Sequence, residues 1–223
     1  WPAYFTGARR VDLPTYPFQR QRFWMDPPSL AGDFDHPILT SSVQLASGGM
    51  IFNGSLSVEK QPWLADHEVL GSILLPGTAF VDLAIRAGTE AGCARIEELT
   101  LQAPLAVSGT VELQVAVGAL ESGGRSIHIY SQADDTWTLH AEGVLVAPSA
   151  GVSVATEWPP SGAAEIDVAG AYDTLLDMGL AYGPMFQGLQ AAWRVDDTIF
   201  AEVTLPEDPG GFGIHPALLD AAM

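Results

Sequence analysis

A histidine and a carboxylate, each beside an apolar run that opens at a proline, are the residues best suited to chemistry. The first lies in His67-Glu68-Val69-Leu70-Gly71-Ser72-Ile73-Leu74-Leu75-Pro76-Gly77. The second lies in His215-Pro216-Ala217-Leu218-Leu219-Asp220-Ala221-Ala222-Met223. Neutral imidazole accepts a proton near physiological pH. A carboxyl among apolar side chains holds its proton to higher pH, because desolvation disfavours the charged form. Brought into one apolar pocket, His67 and Asp220 make a base and an acid for proton transfer on a hydrophobic substrate. Each also has a plainer reading, His67 as a satisfied structural histidine and Asp220 as a solvent-facing helix residue. Gly71 removes a side chain where a ligand or backbone can approach closely. Pro76-Gly77 begins a helix whose unbonded N–H groups can polarise a carbonyl.

The segments around these residues read as strands wrapped on helices. Alternation in Ser41–Ser47 and Ile51–Glu59 predicts two strands with Gly48-Gly49 as the turn, and His67 falls in a loop ahead of a helix. In that helix Phe80, Leu83, Ala84 and Ala87 share an apolar face, Asp82 and Arg86 pair on the other side, and Gly88 is a stop. Strand patterns resume in 95–104, 110–120, 125–133 and 136–148, separated by turn residues. A second helix is expected after Asp167 as cap, with Val168, Tyr172 and Leu175 along one side, then strands in 185–195 and 198–206. Pro216 opens a last apolar run, with His215 as cap. Aligning Pro76 with Pro216 places Phe80 on Asp220, so the chain reads as a duplicated unit of strands around a proline-led helix. The second copy stops as its helix begins, which predicts a chain cut at both ends and a second sheet lacking strands.

Composition narrows the classes. Apolar residues make up 48% and charged residues 16%, which favours a packed globular chain. The net charge is −18. Residues 1–25 hold Arg9, Arg10, Arg20 and Arg22 against Asp12, so the acidic excess falls on the rest. An acidic body repels phosphates and argues against nucleic acid as partner. No apolar run approaches the ~18 residues of a membrane span, and the start does not read as a signal peptide, leaving the cytoplasm as the expected compartment. The lone Cys93 excludes a disulfide framework and reads as packing, and no His and carboxylate spacing resembles a metal site. His128 and His140 read as cross-strand or surface residues, and His36-Pro37 as a turn. Four segments follow: a leading linker at 1–35, a first folded half at 36–146, a linker at 147–163 rich in small residues and proline, and a second half at 164–223.

The motifs resemble a known family. His67-Glu68-Val69-Leu70-Gly71 with Pro76 fits the His-x3-Gly-x4-Pro signature of dehydratase domains in modular polyketide synthases. Gly179-Leu180-Ala181-Tyr182-Gly183-Pro184-Met185-Phe186 is similar to the family's Gly-x2-Tyr-Gly-Pro-x-Phe motif, and 215–220 resembles its His-Pro-x-Leu-Leu-Asp segment. Residues 98–107 resemble the strand after its first helix, and residues 11–24 the segment that follows an acyltransferase domain. The resemblance implies an α+β double hotdog, two curled antiparallel sheets each around a helix, here with the second incomplete.

It also implies a reaction. His67 would remove the α-proton of a 3-hydroxyacyl thioester and Asp220 would protonate the departing hydroxyl, with Gly71, Pro76, Gly77, Tyr182, Gly183 and Pro184 lining the substrate pocket. No cofactor or metal would be bound. The acyl group would arrive on the phosphopantetheine of an acyl carrier protein, beside acyltransferase and ketoreductase domains, in a homodimeric synthase. A double-bond isomerase, a cyclising domain or a silent structural module on the same scaffold are the alternatives. The family pattern continues four residues beyond Asp220 with a glutamine or histidine, past Met223, and residues 1–223 alone are therefore expected to be inactive.

Overall fold

The computed structural model describes residues 34–149, 157–207 and 210–223. The expected linker at 1–35, apart from Phe34 and Asp35, lies outside the described residues, as does 150–156 of the second linker. In chain order the elements begin with β1 (Leu39–Gln44), β2 (Met50–Leu56), a 3-10 turn (Pro62–Asp66), β3 (His67–Val69), β4 (Ser72–Ile73) and α1 (Gly77–Glu90). There follow β5 (Arg95–Leu101), β6 (Val111–Val117), β7 (Gly124–Ala133) and β8 (Thr136–Val146). The second half holds β9 (Ala164–Ile166), α2 (Ala171–Asp177), β10 (Leu180–Tyr182), a 3-10 turn (Pro184–Phe186), β11 (Leu189–Val195), β12 (Thr198–Val203) and α3 (Pro216–Asp220).

Six strands form one antiparallel sheet in the order β1-β2-β6-β7-β8-β5. Period-two alternation turns Leu113, Val115 and Val117 of β6 and Ile127 and Ile129 of β7 to the buried face. The β7–β8 turn puts Asp134 and Asp135 at φ 46° and 61°, the left-handed pair of a tight hairpin matched to strand twist. Register shifts at Leu39/Ser41, Ile96/Glu98 and Ile129/Tyr130 bend the strands, so the sheet curls. Helix α1 occupies the hollow. Phe80, Leu83, Ala84 and Ala87 are buried, as their spacing predicts. Full burial of a side chain such as Leu83 stabilises the fold by about 1.5–3 kcal/mol.

The other face of α1 is not what the sequence pattern predicts. Asp82 is buried and bonds to His36, while Arg86 pairs with Glu90 at 3.0 Å and lies over the Phe34 ring. The helix is covered on this side too, by the loop at 212–215, so a carboxylate there faces protein. Gly88 does not stop α1, which runs on to Glu90. Gly88 makes room inside the helix for the Cys93 carbonyl.

In the second half, β12-β11-β9 form an antiparallel sheet, while β10 joins β3 and β4 in the order β10-β3-β4. The second helix starts later than predicted. Asp167 closes a local turn by accepting the Ala169 N–H, and Gly170 precedes α2. Helix α3 packs on α1, and the Thr78 hydroxyl donates to the Pro216 carbonyl at 2.9 Å. A curled sheet around α1, joined to a second antiparallel sheet with its own proline-led helix, is the double-hotdog architecture. Among the described residues no helix is long and apolar enough to cross a membrane.

Candidate active site

His67 opens β3, a strand rather than the predicted loop. Three residues are too few for a period to show in the sequence. The preceding 3-10 turn delivers it, and its neighbours hold the ring. Tyr182 pairs with it across the β3–β10 ladder and stacks at 5.3 Å between centroids, and Phe186 lies at 4.9 Å. Its Nδ1 is 2.9 Å from the Leu74 carbonyl. A carbonyl only accepts, so Nδ1 carries the proton and Nε2 keeps the lone pair of a base. His67 as a whole is 6% exposed.

Asp220 lies at the end of α3. Burial raises its pKa; the opposing pulls of the His67 charge and a hydrogen bond from Tyr182 only partly offset this. The Tyr182 hydroxyl donates to Asp220 and is itself pushed up to about 12, by burial first and then by the Asp220 charge, so it stays a phenol. Tyr182 thus touches both groups. It stacks on His67 and hydrogen-bonds to Asp220, which is more than the lining role its motif implies.

Helix α3 owes its placement to His215. Its Nδ1 accepts the Ala217 N–H at 3.1 Å, the cap predicted from sequence, with Pro216 in the first turn. Trp63 and Phe212 enclose the ring at 5.0 and 4.8 Å. Burial pushes its pKa down to about 4, against a smaller upward pull from Asp82. Capping needs the neutral ring, so the shift and the role agree. The unfolded chain protonates this histidine near 6.5; as pH falls from about 6.5 to 4 the unfolded state binds more protons and stability is lost.

A cavity of about 340 Å³ opens at His67 and is lined by Leu74, Leu75, Gly77, Phe80 and residues 101–104. That is within the range of small-molecule sites and mostly apolar. Of the six residues expected to line a substrate pocket, Gly77 is on this wall. Pro76 is buried directly behind it and precedes α1, whose start has no side-chain cap. Gly71 is exposed, and a Cβ there would meet nothing within 4 Å; its φ of 79° serves the β3–β4 turn. Pro184 lines a separate concavity of about 470 Å³ with Trp63, Asp66 and His215. A polar concavity of about 540 Å³ lies away from both, around 118–126, with no histidine on its wall.

Gly183 is set by Asp66, a residue that no motif or pattern singles out. The Gly183 N–H donates to the Asp66 carbonyl at 2.8 Å, and the Met185 N–H donates to Asp66 Oδ2 at 2.9 Å. Asp66 precedes His67 and Gly183 follows Tyr182, so one residue, through its carbonyl and its carboxylate, ties the strand end that carries His67 to the turn that follows Tyr182. A Cβ on Gly183 would overlap the Asp66 carboxyl group. Gly183→Ala is expected to cost about 1–3 kcal/mol by urea denaturation and to lower activity with it. An unchanged midpoint would mean that Asp66 moves aside freely. Other sequence expectations hold: Cys93 is buried as packing, and His140 bridges the Ser131 hydroxyl and the Ala103 carbonyl across strands. Among the described residues no group of three or more His, Cys, Asp or Glu is placed to hold a metal ion.

The fold is a double hotdog, and it brings His67 from one half close to Asp220 from the other. Sequence models of the polyketide synthase dehydratase domain and of the polyketide synthase dehydratase N-terminal domain match residues 36–132 and 150–223 respectively. The chain is 50% identical to a solved structure concerned with dehydratase substrate selection for the borrelidin and fluvirucin polyketide synthases, with a TM-score of 0.80 over 84% of this chain and 72% of that one. It is 45% identical to the dehydratase domain from the terminal module of the rifamycin polyketide synthase, with a TM-score of 0.80 over 87% and 76%. Polyketide synthase GfsA of Streptomyces halstedii is 47% identical over all of this chain, which spans 3% of that protein's length. The chain belongs to the family of polyketide synthase dehydratase domains.

Proposed function

We propose that the intact domain to which this chain belongs dehydrates a 3-hydroxyacyl thioester presented on the phosphopantetheine of an acyl carrier protein, residues 1–223 on their own being inactive. His67 Nε2 takes the proton from the α-carbon, the α,β double bond forms, and the C–O bond to the β-hydroxyl breaks. Asp220, protonated at the start, gives its proton to the departing oxygen, which leaves as water. His67 ends protonated and Asp220 ionised, and one proton returns between them through solvent to reset the site. The start of α1 at Gly77 offers backbone N–H groups to the thioester carbonyl, where charge develops as the α-proton leaves.

One observation carries this reading. Tyr182 links a carboxyl whose pKa burial raises to a histidine whose tautomer leaves the Nε2 lone pair free, beside an apolar cavity. No cofactor is needed for such an elimination. The partners proposed are an acyl carrier protein and neighbouring acyltransferase and ketoreductase domains, in a cytoplasmic, dimeric synthase. The test is product analysis with a 3-hydroxyacyl thioester and the intact protein. The α,β-enoyl thioester is the expected product. A shifted double bond or a cyclic ether would identify an isomerase or a cyclase, and recovered substrate a structural module.

A further inference from the structure

The loop that delivers the acid is fastened by a carboxylate that has no part in proton transfer. Asp82, in the middle of α1, is 3% exposed. Its Oδ1 accepts the backbone N–H groups of Gly213 at 3.1 Å and Ile214 at 3.2 Å, and Oδ2 lies 2.8 Å from His36 Nε2. His36 is fixed as a donor, because its Nδ1 already accepts the N–H groups of Ile38 and Leu39 at 3.1 and 3.0 Å. Every partner is a donor, and together they satisfy a charge that would be costly to bury alone. The anchored loop runs directly into the His215 cap and α3. Thr78, one helical turn before Asp82, holds the Pro216 carbonyl. Asp220 follows within a single turn and a half of helix, with Ala217 fully buried between the two. A shift at Gly213 and Ile214 would therefore be passed to the Asp220 carboxyl with little slack. Phe212 packs against both His36, at 5.5 Å, and His215, which stiffens the same loop from the other side.

We propose that Asp82, held by His36, is a positioning residue for the acid: it sets the seat of α3 and so the aim of Asp220 at the leaving group. The proposal rests on the dehydratase reading above. It predicts a defect confined to leaving-group protonation, which a merely structural anchor would not show. A 3-fluoroacyl thioester separates the two, because His67 still takes the α-proton while fluoride departs as an anion and needs far less help from an acid.

The experiment compares Asp82→Ala, Asp82→Asn, Asp220→Asn and His67→Phe in the intact protein on matched 3-hydroxyacyl and 3-fluoroacyl thioesters. Asp82→Ala is expected to lower kcat on the hydroxy substrate about 10- to 100-fold with KM little changed. On the fluoro substrate its deficit should shrink in the same direction as that of Asp220→Asn. Asp82→Asn keeps an oxygen for Gly213 and Ile214 and should recover part of the loss. If Asp82→Ala does not fold, His36→Ala and Asp82→Asn carry the same comparison. Equal losses on both substrates, a loss confined to KM, or folded variants with unchanged kcat would overturn the proposal while leaving the dehydratase reading intact. Full elimination activity in His67→Phe would instead overturn that reading and the proposal with it.

Discussion

His67→Phe is expected to lower kcat for dehydration at least ~100-fold, the scale of a positioned general base. Phenylalanine preserves the stack between Tyr182 and Phe186 and is close to imidazole in shape, so the apolar surroundings should survive. What disappears is the Nε2 lone pair, together with the hydrogen bond from Nδ1 to the Leu74 carbonyl. KM should stay near that of the parent, since the cavity wall at Leu74, Gly77 and Phe80 is untouched. Steady-state kinetics with a 3-hydroxyacyl thioester, beside a thermal unfolding curve, checks this. A folded variant that retains more than about a tenth of the parent rate would place the base elsewhere.

Asp220→Asn should separate activity from stability. Turnover on the hydroxy substrate is expected to fall ~100-fold or more, because an amide cannot give up a proton to the leaving oxygen. Stability should move the other way. The folded-state pKa of Asp220 lies above its unfolded value of 3.8, so as pH rises past 3.8 the unfolded chain ionises more readily and the native state loses stability relative to it. An asparagine does not titrate, and its side-chain oxygen still accepts from Tyr182. The variant should therefore melt higher than the parent at neutral pH, with the gap closing as pH falls toward 3.8. Melting curves from neutral to acid pH test the sign. A lower Tm for Asp220→Asn at neutral pH would show that the carboxylate, not the carboxylic acid, is the form the fold prefers. Sites that trade stability for activity in this way are common.

The strands of the first half were legible because each buries one face and leaves the other wet, so period-two alternation survives in residues 111–117 and 124–133. The helix after Pro76 was legible for the same reason on its sheet-facing side. Its opposite side was not. Asp82 and Arg86 have the spacing of a surface ion pair, and nothing local reveals that a loop more than a hundred residues downstream covers Asp82 while Arg86 turns to Glu90 and the Phe34 ring. His36 does sit in the turn ahead of β1, as its sequence context predicts, but its bond to Asp82 is invisible for the same cause, its partner being remote in sequence. The short strands at His67–Val69, Ala164–Ile166 and Leu180–Tyr182 carry no period that could be recognised. For the centre itself, local sequence picked out His67 and Asp220 by type and by apolar surroundings. Tyr182 was visible only as part of a motif, and its bridge to both groups arises from β3–β10 pairing. Asp66 gave no signal at all, because its work is done by one backbone carbonyl and one carboxylate oxygen on a distant turn.

The clamps at the centre also bear on the order in which the molecule becomes functional. Thr78 reaches Pro216 across 138 residues, Asp82 reaches Gly213 across 131, and Asp66 reaches Met185 across 119. The hairpins β1–β2, β6–β7 and β7–β8, by contrast, join neighbours in sequence. Closing a long loop costs entropy before its contacts repay it, so local hairpins have the kinetic advantage. A chain emerging residue by residue would fold its first sheet around α1 well before Tyr182 and Phe186 arrive to hold the His67 ring. Competence is then gained in one late docking step. Until that step the first sheet is complete while the His67 ring still lacks the two aromatic side chains that enclose it.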